Sequence, residues 1–118
     1  MRDHTQLRAF QLADEVVILT YRITKSFPKE EMFGLTSQMR RAAVSVASNI
    51  VEGCARDSHS EYIRFLDISF GSHRELHYQF SVASRLGYVD EILANEYEEK
   101  ITESEKVLGS LIRSLRQK

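Results

Sequence analysis

Cysteine and proline each occur once in this chain, at Cys54 and Pro28, and glycine only five times in 118 residues. One cysteine excludes an internal disulfide and fits a reducing compartment, so the cytoplasm is the expected location. No apolar run approaches the roughly 20 residues needed to span a bilayer, and the opening MRDHTQLRAFQLADE is too polar for a signal peptide. Charge of one sign is also missing. Sixteen basic and 17 acidic side chains leave a net charge of −1, which argues against a strongly basic nucleic-acid binder. Any phosphate-binding face must therefore be local. No glycine loop suited to cradling phosphate and no Ser-His-Asp order stands out.

What the chain does have is helical periodicity. The stretch Leu35–Asp57, LTSQMRRAAVSVASNIVEGCARD, places Arg41, Ser45, Ser48 and Glu52 nearly in line on a helical wheel, with Asn49 beside them. Most of the remaining circumference is apolar: Met39, Ala42, Ala43, Val44, Val46, Ala47, Ile50 and Val51. Such a helix needs cover on more than one side. Thr36 is its expected N-cap and Gly53 its expected C-terminal glycine.

Three more helices are expected around it. The first runs from about Gln6 to Ser26, with Leu12, Val16, Leu19 and Ile23 at helical spacing, and ends because Pro28 disfavours a helical Phe27. The third opens on the capping box Ser58-His59-Ser60-Glu61 and stops at Gly87. One face holds Tyr62, Phe65, Leu66, Ile68, Leu76, Phe80 and Ala83, while the other mixes charges with Ile63, Phe70 and Tyr78. The fourth starts at Asp90 and carries a heptad-like seam of Leu93, Tyr97, Ile101, Ser104, Leu108, Leu111 and Leu115. Its last turns are basic, as the helix dipole prefers. No stretch has a strand pattern. The sum is an all-α, up-down-up-down antiparallel four-helix bundle filling one domain, 1–118, with apolar surface on the second and third helices left for sister copies.

Four pieces of sequence carry a resemblance. They are Phe27-Pro28-Lys29-Glu30-Glu31, Gly34 through Ser45 (GLTSQMRRAAVS), Asn49-Ile50-Val51-Glu52-Gly53, and Gly71-Ser72-His73-Arg74-Glu75-Leu76. Together they resemble the small bacterial four-helix-bundle proteins associated with intervening sequences in large-subunit ribosomal RNA genes. The chain departs from that family in having Phe10 for tryptophan, Ala47-Ser48 for proline-alanine, and bulky Ile68-Ser69-Phe70 before Gly71. The resemblance implies a ring-shaped homo-oligomer, typically a pentamer. It extends to the accessory protein of diversity-generating retroelements, which binds a reverse transcriptase and nucleic acid, and so implies RNA or ribonucleoprotein binding. It implies no enzyme activity.

Candidate sites follow from residue type. Arg40, Arg41, Arg56, Arg64, Arg74 and Arg85 are the nucleic-acid candidates, since a ring would repeat each one around its axis. The competing reading has them in salt bridges. Arg41, Asn49, Glu52, Ser72 and Glu75 are expected to form a structural polar network between helices two and three, with Glu75 paired to Arg40 or Arg41. A di-iron centre needs Glu-x-x-His motifs, which neither Glu52 nor Glu75 provides, so no metal is expected. His73 and His77 have the i, i+4 spacing of a ligand pair, but without an evident third ligand they read as exposed or interface histidines. Cys54 reads as a small packing residue. No catalytic residue and no cofactor are expected. The functional expectation is a non-enzymatic oligomeric scaffold or adaptor that binds RNA or a nucleic-acid-processing protein through arginines. The alternative is a purely structural assembly protein.

Overall fold

Pro28 sets the first boundary of the computed structural model, which describes residues 2–118. Helix α1 spans Arg8–Thr24, and a short 3-10 turn, Lys29–Glu31, follows the proline. Helix α2 spans Leu35–Cys54, α3 His59–Arg85 and α4 Glu91–Arg116. A second 3-10 turn, His4–Gln6, precedes α1. Among the described residues there are four α-helices and no strand.

The helix ends have local causes. The Ser58 hydroxyl accepts from the Glu61 amide at 3.1 Å and the Asp90 carboxylate from the Leu93 amide at 3.0 Å. Each satisfies one otherwise orphaned donor of a first turn. Helix α3 stops at Gly87, whose φ of +77° is a left-handed conformation open to glycine. Tyr88 N–H then reaches Ala83 O and Gly87 N–H reaches Ser84 O, the Schellman pairing. Two expected boundaries differ. Thr36 lies inside α2, and the Glu31 carboxylate caps the helix by accepting from the Leu35 amide at 3.0 Å. Gly53 is not a terminator but a buried residue within α2. A Cβ there would meet Phe65 Cβ at 3.0 Å and Tyr62 O at 3.3 Å, so its smallness lets α2 and α3 approach.

Each helix packs against two others: α1 against α2 and α4, and α3 against α2 and α4, with α2–α3 the most extensive contact. Two apolar clusters fill the centre. One holds Val16, Ile23, Met39, Leu76, Phe80, Tyr97 and Ile101, and the other Ala13, Val46, Ile50, Cys54, Tyr62, Leu66 and Leu108. Ser69, His73 and Ser104 are also buried. The hydroxyl of Ser69 donates to Val46 O at 2.7 Å, which satisfies it across the α2–α3 seam.

Burial corrects several expectations. Ile68 is 41% exposed rather than in the core, and on α4 Ile112, not Leu111 or Leu115, is the buried residue beyond Leu108. Neighbours α1 and α3 of the same chain cover the apolar sides of α2, leaving Val44 as its exposed large hydrophobic. Of the other exposed apolar side chains, Met32, Phe33, Leu86 and Ile92 gather at one end of the molecule, the first three on the two connectors that meet where the Tyr88 hydroxyl donates to Glu31 at 3.0 Å and Ile92 in the first turn of α4.

Candidate functional site

The expected network between α2 and α3 exists in reduced form. Asn49 Nδ2 donates to Ser45 O at 2.8 Å and to Ser45 Oγ at 3.1 Å, and the Ser45 and Ser72 hydroxyls meet at 2.8 Å. The other three expected members are outside it. Glu52 pairs with Arg56, one turn on, at 3.0 Å. Arg41 and Glu75 are exposed and make no ion pair with each other. Arg40 donates to Thr24 Oγ1 at 2.8 Å and lies over the Tyr21 ring at 4.7 Å, so it serves the α1–α2 seam instead. The reason is register and direction. Ser72 lies level with Ser45, nearly a turn away from the expected Ala42, and Glu75 points outward on α3.

The richer cluster lies between α3 and α4. His73 is fully buried, with Nε2 at 2.7 Å from Ser104 Oγ and Nδ1 without a hydrogen-bond partner, 3.9 Å from Glu105. Burial disfavours its charged form and pushes it down to about 4. One turn on, His77 Nδ1 meets Glu105 at 2.7 Å and Nε2 meets Glu98 at 2.7 Å. Carboxylates only accept, so the two contacts favour the imidazolium form of His77, in which both ring nitrogens donate. Burial alone would lower its pKa, but the two carboxylates outweigh it and raise it. Glu105 also binds Arg74, and Arg74 and His77 together outweigh burial to hold its carboxyl below the usual range.

The expectation of exposed or interface histidines is thus overturned for His73. Its signal was in the sequence: Tyr62, Leu66, Ser69, His73, Leu76 and Phe80 alternate spacings of four and three, the period of a buried seam. Cys54 is buried, and desolvation raises its thiol pKa. Among the described residues, no three His, Cys, Asp or Glu side chains converge as a metal ion requires.

Bordered by Arg74, His77 and Glu105 of this cluster, α3 and α4 part around a cleft of about 510 Å³. Phe70, Arg74 and His77 form one wall. The other is a single face of α4, on which Lys106 and Arg113 flank Gly109 and Ser110. A Cβ at Gly109 would touch the Phe70 ring at 3.4 Å and Arg113 Nη1 at 3.5 Å. Arg113 donates to Ser110 Oγ at 3.1 Å. Among the described residues, neither Lys106 nor Arg113 has a carboxylate within salt-bridge distance. Sequence reasoning missed both, because bases near a helix C-terminus suit the dipole. Lys106, however, lies ten residues before the end of α4 at Arg116, beyond the reach of that effect.

The six expected arginines are dispersed. Arg56 and Arg64 come together over the Phe65 ring, at 4.7 and 4.5 Å, and each also pairs with its own glutamate, Glu52 or Glu61. Arg74 belongs to the Glu105 cluster, and Arg85 donates to Ser81 O at 3.3 Å.

Comparisons with known proteins agree with this architecture. The family described as 23S rRNA-intervening sequence protein matches residues 5–110. Among solved structures, a protein of unknown function from the S23 ribosomal protein family of Bacteroides thetaiotaomicron VPI-5482 superposes with a TM-score of 0.81. It is 23% identical, and the match covers 89% of this chain and 95% of that one, a likeness of fold. No curated protein matches the chain.

Proposed function

Because the chain belongs to the 23S rRNA-intervening sequence protein family, we propose that it is a non-enzymatic scaffold or adaptor that binds RNA or a ribonucleoprotein. Its up-down-up-down bundle joins sister copies in a ring, proposed as a pentamer, in the cytoplasm. The opposed running of contacts supports the topology: along α1–α4, Arg8 meets Glu103 and Thr20 meets Tyr97. Along α3–α4, His59 meets Leu115 and His77 meets Glu98. The exposed Met32, Phe33, Leu86 and Ile92 at one end supply apolar area for assembly.

The observation that carries the RNA reading is that, among the described residues, bases such as Arg41, Lys106 and Arg113 have no carboxylate in salt-bridge distance, on a chain of net charge −1. A ring would repeat each one around its axis. Both nitrogens of His77 are committed to carboxylates, which leaves no free base there and favours a non-enzymatic role. No helix among the described residues is long and apolar enough to cross a membrane.

A salt-titrated binding measurement with structured RNA tests the reading. Affinity must fall steeply with rising salt, because phosphate contacts release counterions. Absence of binding at low salt removes the RNA role and leaves the second reading, a structural assembly protein. That reading is favoured by the pairing of Arg56, Arg64 and Arg74 with carboxylates. Sedimentation as a stable monomer at micromolar concentration would remove the ring.

A further inference from the structure

The α3–α4 cleft has an unusual balance of charge. Its one carboxylate, Glu105, is held by Arg74 and by His77. The cleft's own carboxylate is therefore already matched, while Glu98, Glu99 and Glu103 line the adjoining groove on the far side of Thr102 and Lys106. Among the described residues, Lys106 and Arg113 remain on the same wall without a carboxylate in salt-bridge distance, and the Ser110 hydroxyl shares their face, whereas the Thr102 hydroxyl donates to Glu98 at 2.9 Å. Gly109 keeps the wall open between the two cations, and the half-buried Phe70 ring closes the side behind it. An apolar backing of this kind lowers the local dielectric and strengthens attraction between fixed cations and an entering anion.

We propose that this cleft is a phosphoryl seat, with Lys106 and Arg113 supplying the charge and Ser110 the neutral donor. Arg113 is already turned toward Ser110, so its guanidinium is partly oriented before a ligand arrives and can bind phosphate oxygens in pairs. A volume of about 510 Å³ exceeds what a lone phosphate needs and leaves room for an attached sugar or base. The natural ligand that fits is a phosphodiester of single-stranded RNA, and only that identification rests on the RNA reading above.

The test uses the full chain, with inorganic phosphate and a short single-stranded oligoribonucleotide as separate probes, followed by amide NMR. Phosphate is expected to shift the amides of Thr102, Gly109 and Ser110 saturably. The double variant K106Q/R113Q should weaken phosphate and RNA by at least about tenfold, while K25Q, at an exposed lysine outside the cleft, leaves phosphate binding unchanged. Gly109→Leu, which fills the cleft with both charges intact, should also abolish the phosphate shifts. Two outcomes overturn the seat, no saturable shift with phosphate or phosphate binding to K106Q/R113Q as to wild type, and RNA binding equally well to both proteins overturns RNA as its ligand. If RNA fails to bind wild type while phosphate still seats, the RNA reading falls and the cleft stands.

Discussion

Helix α3 is one rod with two very different edges. Against α2 it meets small residues, Ala42, Val46 and Gly53, and the polar groups at that seam are neutral: Ser69, Ser45, Ser72 and Asn49. Against α4 it meets charge, through His77 with Glu98 and Glu105, Arg74 with Glu105, and Asp67 with Arg116. Small side chains let backbones approach, so the first edge is closed. Long charged ones hold helices apart by their own length, so the second edge carries a cleft. The difference teaches that a single helix can carry one dry, close-packed edge and one ionic, open edge. The first is closed by packing, while the second stays open because ion pairs tolerate water.

The largest expected way to perturb the contrast is pH, acting on the charged edge. The folded pKa of His73 is about 4, against 6.5 unperturbed. The unfolded chain therefore binds the proton first, and the contribution is complete above about 6.5 and lost as pH falls toward 4. That difference corresponds to about 3 kcal/mol. Urea unfolding across this window should show the loss, and His73→Leu should flatten it. His77 works in the opposite direction, because its folded pKa is raised. Its contribution is complete below the unfolded pKa and declines as pH rises through the folded one, so His77→Ala should remove an alkaline decline.

On the closed edge, Gly53→Val forces a Cβ against Phe65 Cβ and Tyr62 O. It should cost about 1–3 kcal/mol by denaturant unfolding. An unchanged midpoint would mean that the edge is looser than its geometry implies. Loss of one cap is smaller: Asp90→Ala should cost about 1 kcal/mol by the same measurement, since the Leu93 amide loses its acceptor. Smallest of all, Glu75→Ala should stay within about 0.5 kcal/mol of wild type. A larger loss would restore the ionic pairing that the structure replaces with hydroxyls.

Much of the helix pattern was legible in order. Ser58, Asp90, Gly87 and Pro28 act through neighbours a few residues away, and the structure places helix ends at or beside them. The resemblance read from four short segments extends to a family match over residues 5–110. The polar site was less legible. Asn49 and Ser72 belong to one network, but Arg41, Glu52 and Glu75 do not, because register across the α2–α3 seam shifts by nearly a turn. The charged cluster is not legible in the sequence because Glu98 and Glu105 lie outside the α4 seam, and nothing along the chain shows which glutamate faces which histidine.

The sequence by itself determined the four helices and where most of them stop, because caps, glycine and proline act over single turns. The tertiary structure alone decided which seam is closed and which is open, that burial favours the neutral form of His73 while two carboxylates favour the charged form of His77, and that Lys106 and Arg113 share a wall. Those outcomes depend on distances between side chains far apart in the chain. Coulomb attraction and desolvation change sharply over a few ångströms, and a one-dimensional pattern does not contain those distances.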